Sequence, residues 1–182
     1  MAKAKLLQPD LILGGPVTAL TPAIVQKHGL KGLILDVDET LVPLNETDIT
    51  PELRAWLEQL RQIAAIWLVS NNISENRIGR IAQALEVPYL SGAAKPSRRK
   101  LRQALAQMKL PITEVAMVGD RLFTDILAGN RLGLFTILVE PMVNSEIMAR
   151  YYTIRNFEVW LSQKLGVSLQ AAQHNFTTPD KT

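Results

Sequence analysis

LILDVDETLV, residues 33–42, sets Asp36, Asp38 and Glu39 into an otherwise apolar run. Leu33-Ile34-Leu35 has the continuous apolarity of a strand buried on both faces. A carboxylate in such surroundings is costly unless cations or donors compensate it. Two aspartates closing such a strand therefore suggest a site rather than a simple turn cap. The rest of the chain has to show what meets them.

Downstream, short apolar runs alternate with amphipathic segments. Strands are expected over 31–37, 66–69, 89–90, 114–118 and 134–139, and helices over 51–64, 75–85, 97–109, 123–131 and 145–165. Thr50 can cap the first helix and Pro51 suits its first turn, with Leu53, Trp56, Leu57 and Leu60 on one face. Ile78, Ile81, Ala82 and Leu85 repeat that spacing, as do Leu101, Ala104, Leu105 and Met108, and Gly133 ends the fourth helix. Strands alternating with helices predict a five-stranded parallel sheet covered on both faces, an α/β fold. Such sheets bind ligands beyond the carboxyl ends of their strands. Polar residues collect there: Asp36 and Asp38 after the first strand, Ser70, Asn71 and Asn72 after the second, Lys95 after the third, Gly119-Asp120 after the fourth, and Asp125 five residues on.

The 182 residues, 47% of them hydrophobic, suit one domain with a substantial core. We expect it to cover 1–166, including a leader over 1–30, with a loosely held tail over 167–182. The absence of cysteine excludes disulfides, thiolate metal ligands and a cysteine nucleophile. No apolar run reaches the ~18–20 residues of a membrane span. The basic, then apolar N-terminus is interrupted at Gln8-Pro9-Asp10, so a cytoplasmic protein, soluble or peripheral to the membrane, is expected. Leu11, Leu13, Val17, Leu20, Ile24 and Val25 in the leader either pack on the sheet or touch a membrane surface. The formal charge is +3, and 87–113 carries no acidic residue but includes Lys95, Arg98, Arg99, Lys100, Arg102 and Lys109. That stretch is either a solvated helix face or a patch for an anionic partner. No aromatic-rich basic motif or zinc-finger spacing favours nucleic acid.

The ordered set LILDVDET, LVS at Ser70, AAKP at Lys95 and GDRLFTD resembles the four motifs of the haloacid-dehalogenase-like (HAD) phosphotransferases. The resemblance implies a HAD-like three-layer α/β/α sandwich and a Mg²⁺-dependent phosphomonoesterase. In that chemistry Asp36 is the nucleophile, forming an aspartyl-phosphate, and Asp38 is the general acid and base. Lys95 pairs with the nucleophile and, with Ser70, Asn71 and Thr40, meets the phosphoryl group. Asp36, Asp38, Asp120 and Asp125 form the metal set, Asp38 through a nearby backbone carbonyl and Asp125 by orienting the shell. Bland roles stand beside these: Ser70 and Asn71 shaping a loop, Thr40 bonding a motif carboxylate, Lys95 or Asp125 facing solvent. Glu39 reads as a filler position. Neither gap between motifs has room for a cap domain, so the site should be open.

LKGLILDVDETLVP, LVSNN, AAKP and VGDRLFTD are further similar to the capless subfamily IIIA, which includes YqeG-type proteins and phosphatidylglycerophosphate phosphatases. That likeness implies an anionic phospholipid substrate. A small soluble phosphate or a phosphoprotein is the alternative substrate, and an RNA- or ribosome-associated scaffold the alternative class. The lipid phosphatases often carry Lys between the two aspartates and Asn after them, where Val37 and Glu39 stand here.

Overall fold

The computed structural model describes residues 5–44, 46–142 and 164. The helix expected over 145–165 and the tail over 167–182 lie outside the described residues, Lys164 apart.

Among the described residues, six strands form one sheet: β1 (Leu11–Ile12), β2 (Gly32–Leu35), β3 (Ala65–Val69), β4 (Tyr89–Leu90), β5 (Val115–Gly119) and β6 (Phe135–Leu138). Their order is β1-β6-β5-β2-β3-β4, with every pairing parallel. From β2 the chain runs outward through β3 to β4, then crosses back to β5 on the other side of β2. The strand order therefore reverses between β2 and β5, where parallel sheets open a crevice at their carboxyl edge. Leu35 lies opposite Leu68 on one side and Val118 on the other, so the three central strands end almost level.

Among the described residues, five α-helices cover the sheet: α1 (Pro22–Lys27), α2 (Pro51–Arg61), α3 (Glu75–Leu85), α4 (Arg99–Met108) and α5 (Leu127–Leu132). The period-2 alternation of strand side chains divides the core. Leu33, Leu35, Ile66, Leu68, Ala116 and Val118 pack with the leader, α1, α2 and α3. Ile34, Val69, Val115 and Met117 pack with Leu101 and Ala104 of α4 and Ala128 of α5. This is a three-layer α/β/α sandwich. Each large apolar side chain so buried is worth about 1.5–3 kcal/mol.

The sheet has one strand more than expected, because the leader supplies β1 at its edge. Two residues are too short for an alternation to register in the sequence, and what holds β1 is polar. The Asp10 carboxylate accepts the Thr136 N–H at 2.8 Å and the Thr136 hydroxyl at 2.9 Å, while Asn130 Nδ2 donates to the Leu6 and Gln8 carbonyls. Leu11, Val17, Leu20 and Val25 are buried in the same cluster as α2 and α3, and Trp56 Nε1 donates to the Leu20 carbonyl at 2.8 Å. Those four leader side chains face the core and not a membrane. Among the described residues no helix is long and apolar enough to cross one.

Candidate active site

β2 stops at Leu35, although the Asp36 N–H still reaches the Val118 carbonyl at 2.9 Å. Beyond it the chain coils tightly. The Leu41 and Val42 N–H groups both point back to the Val37 carbonyl, at 2.9 and 3.3 Å, and the Glu39 N–H bonds the Val42 carbonyl at 2.8 Å. Glu39 takes the left-handed conformation, φ +66°. The coil breaks the strand alternation, so Asp38 need not face away from Asp36. Its carboxylate reaches the end of β3, where the Ser70 hydroxyl donates to Oδ2 at 2.6 Å.

The loop from β4 returns Lys95 into the crevice. Ala94 turns left-handed (φ +51°), and Asn71 brackets the Lys95 backbone. Its Oδ1 accepts the Lys95 N–H at 2.6 Å and its Nδ2 donates to the Lys95 carbonyl at 3.2 Å. Lys95 Nζ then lies 2.5 Å from Asp36 Oδ1 and 2.7 Å from Asp125 Oδ1, and donates to the Val69 carbonyl at 2.9 Å. Its side chain is 1% exposed, which removes the solvated reading.

Gly119 and Asp120 close β5, and a single π-helical turn over Leu122–Ile126 follows. Its signature is the Ile126 N–H bonding the Arg121 carbonyl, five residues back, at 3.2 Å. The turn brings Asp125 under the strand end, where Oδ2 accepts the Arg121 N–H at 3.2 Å and lies 3.3 Å from the Thr124 hydroxyl. A Cβ on residue 119 would stand 2.5 Å from the Asp125 carboxyl, so only glycine permits this approach. The helix expected from 123 starts at Leu127 because this wider turn precedes it.

Asp36, Asp120 and Asp125 are all buried, and each offers a carboxylate oxygen within 4.8 Å of the others. The Thr40 hydroxyl lies 3.0 Å from Asp120 Oδ1 and 3.4 Å from Asp36 Oδ2. Among the described residues, three carboxylates thus gather around the Lys95 ammonium. Burial, the largest influence, drives the Asp36 pKa well above its ordinary value; Lys95 opposes this, and Asp125 and Asp120 reinforce it. Burial alone would lower the Lys95 pKa, but Asp125 and Asp36 outweigh it and hold the ammonium charged beyond its usual range. The donors of this cluster are hard oxygens. A divalent cation of the Mg²⁺ class fits that set.

The structure therefore gathers Asp36, Lys95, Asp120, Asp125 and Thr40 at one point, with Asp38, Ser70 and Asn71 around it. Asp38, Ser70 and Asn71 each have local partners. The Asp38 side chain is not in the carboxylate triad but is turned to Ser70. Ser70 donates to that carboxylate, and its oxygen also accepts the Asn72 N–H at 2.9 Å. Asn71 holds the Lys95 backbone. Glu39, read as filler, is buried, its Oε2 has no hydrogen-bond partner among the described residues, and its pKa is raised by burial first. Sequence reading missed Arg77 of α3, which forms an ion pair with Asp38. A signal was present: a cation in the first turn of a helix opposes the helix dipole, where acids are favoured.

The family model described as mitochondrial PGP phosphatase matches residues 1–144. The chain is similar to "Probable phosphatase YqeG" of Bacillus subtilis, 35% identical over 70% of this chain and 74% of that protein. It is also similar to "Phosphatidylglycerophosphate phosphatase 1, chloroplastic/mitochondrial" of Arabidopsis thaliana, 28% identical over 85% of this chain. The chain spans about half of that longer relative, 47%. The fold resembles the crystal structure of an uncharacterized protein from Listeria monocytogenes serotype 4b, with TM-score 0.50 and 21% identity over 60% of this chain and 78% of that one. With the motif residues converging on one buried acidic centre, the chain belongs to the PGP phosphatase family and is a phosphatase.

Proposed function

We propose that the protein is a Mg²⁺-dependent phosphomonoesterase working through an aspartyl-phosphate on Asp36. The observation that carries this reading is the buried Lys95–Asp36 pair beside two further carboxylates. An Asp36 oxygen attacks phosphorus, the bond to the leaving oxygen breaks, and that oxygen takes a proton from Asp38. Water then gives its proton to Asp38 and attacks phosphorus, splitting the bond to Asp36 and freeing phosphate. Lys95 holds the nucleophile in place and meets the phosphoryl charge, and the Ser70 hydroxyl turns from Asp38 to a phosphoryl oxygen. When bound by Asp36 and Asp120, with Asp125 alongside, magnesium supplies charge neutralisation for the phosphoryl oxygens.

Phosphatidylglycerophosphate is the substrate we favour. The family match over 1–144 supports it. So does the short connection from β2 to β4, in which the described residues form only α2, β3 and α3, an arrangement suited to a bulky headgroup at an interface. The protein then works at a membrane surface. Phosphate release from phosphatidylglycerophosphate in mixed micelles, compared with a panel of soluble phosphomonoesters, tests the reading. Mg²⁺-dependent turnover with preference for the lipid is expected, lost with EDTA and at least ~10³-fold lower in Asp36→Asn. Preference for a soluble ester would overturn the lipid assignment, and full activity of the variant would overturn the mechanism.

A further inference from the structure

We propose that Arg77 is the positioning residue of the acid–base step, anchoring Asp38 so that one of its oxygens stays fixed while the other exchanges protons. The proposal rests on the reading of Asp38 as general acid and base.

All three guanidinium nitrogens of Arg77 are engaged. Nη1 donates to Asp38 Oδ1, Nη2 to the Pro43 carbonyl at 2.9 Å, and Nε to the Glu46 carbonyl at 3.1 Å. The ion pair is largely shielded, with the two side chains 14% and 16% exposed. The fork therefore joins three points: the N-terminal turn of α3, the Asp38 carboxylate, and the segment that carries the chain away from the crevice.

The two Asp38 oxygens then have different fates. Oδ2 accepts from Ser70, at 2.6 Å. Once that hydroxyl turns to a phosphoryl oxygen, Oδ2 is released to face the leaving group. Without a second hold the carboxylate would swing free at that moment. Arg77 supplies the hold on Oδ1, from a helix packed into the core through Ile78, Ile81 and Leu85. Lysine cannot replace it, because one ammonium on a flexible stem does not reproduce the planar fork.

The leaving group distinguishes positioning from mere support. kcat/KM reports only steps up to departure of the first product. An alkyl phosphate needs its leaving oxygen protonated, whereas p-nitrophenyl phosphate, with a stable phenolate, hardly does. Arg77→Ala should lower kcat/KM for an alkyl phosphomonoester such as glycerol phosphate by about 100-fold, but for p-nitrophenyl phosphate by no more than about fivefold. Arg77→Lys should fall between wild type and Arg77→Ala, and decides the matter if Arg77→Ala fails to fold. Asp38→Asn should show the same contrast more strongly. Equal losses on both esters in the Arg77 variants, with Asp38→Asn discriminating as expected, would overturn the anchor alone. An Asp38→Asn enzyme that treats both esters alike would overturn the acid assignment, and the anchor with it.

Discussion

Glu39 shows what a single residue's conformation can explain. It holds φ +66°, and its carbonyl accepts the Met142 N–H at 2.6 Å, tying the coil after β2 to the chain beyond β6. The left-handed region costs an ordinary L-residue about 1–2 kcal/mol, and asparagine enters it more readily. An asparagine at this position would thus answer a backbone requirement, and reading Glu39 as filler missed it. Glu39→Asn should relieve both the dihedral strain and the buried, unpartnered carboxylate oxygen. The expected gain is about 0.5–1 kcal/mol, or a Tm raised by about 1–4 °C in thermal unfolding. A lower Tm would mean the Glu39 carboxylate stabilises the coil. At this scale Asp36, Asp120 and Lys95 were readable because charge beside buried strands demands a reason. The partner of Asp38 was not, since Arg77 arrives from a helix 39 residues on in sequence and no local pattern links the two.

At the scale of elements, the sequence pattern located β2 to β6 and α2 to α4 within about three residues, most of them because they bury a continuous face. It failed where hydrogen bonding departs from the regular repeat. The edge strand β1 depends on Asp10 and Asn130 rather than on apolar alternation. The π-helical turn after β5 looks like helix in the sequence, but its wider bonding is what tucks Asp125 beneath Gly119. Gly119→Ala tests that packing. The new Cβ would meet the Asp125 carboxyl at 2.5 Å, and both sides of the contact are buried. A destabilisation of about 1–3 kcal/mol is expected from overpacking, with activity reduced more than tenfold in the protein that still folds, because Asp125 is pushed off Lys95. A stable and fully active Gly119→Ala would show that the approach of Asp125 to β5 is dispensable.

Across the whole molecule, folding buries Asp36, Asp120 and Asp125 around Lys95, and that couples stability to pH and metal. Asp36 has a folded-state pKa raised above its unfolded value, by burial first and then by Asp125 and Asp120 against Lys95. The stability associated with such a group is fully present below the unfolded pKa, near ~3.9, and is lost as pH rises through the folded value. Lys95 is also raised, so its contribution is constant below ~10.4 and cannot produce a trend at neutral pH. With EDTA present, the wild type should therefore lose stability relative to Asp36→Asn as pH rises from about 4. The loss should amount to at most ~1.4 kcal/mol per pH unit until Asp36 is ionised. A divalent cation binds the ionised form, so Mg²⁺ should stabilise the wild type more at high pH than at low. Saturating Mg²⁺ should then add about 5–10 °C to Tm, with little gain in Asp36→Asn. Thermal unfolding of both proteins across pH 4–8, with EDTA and with Mg²⁺, measures the coupling directly. A Mg²⁺ gain that ignores pH, or that is equal in the two proteins, would place the stabilising ion somewhere other than the carboxylate cluster at the ends of β2 and β5.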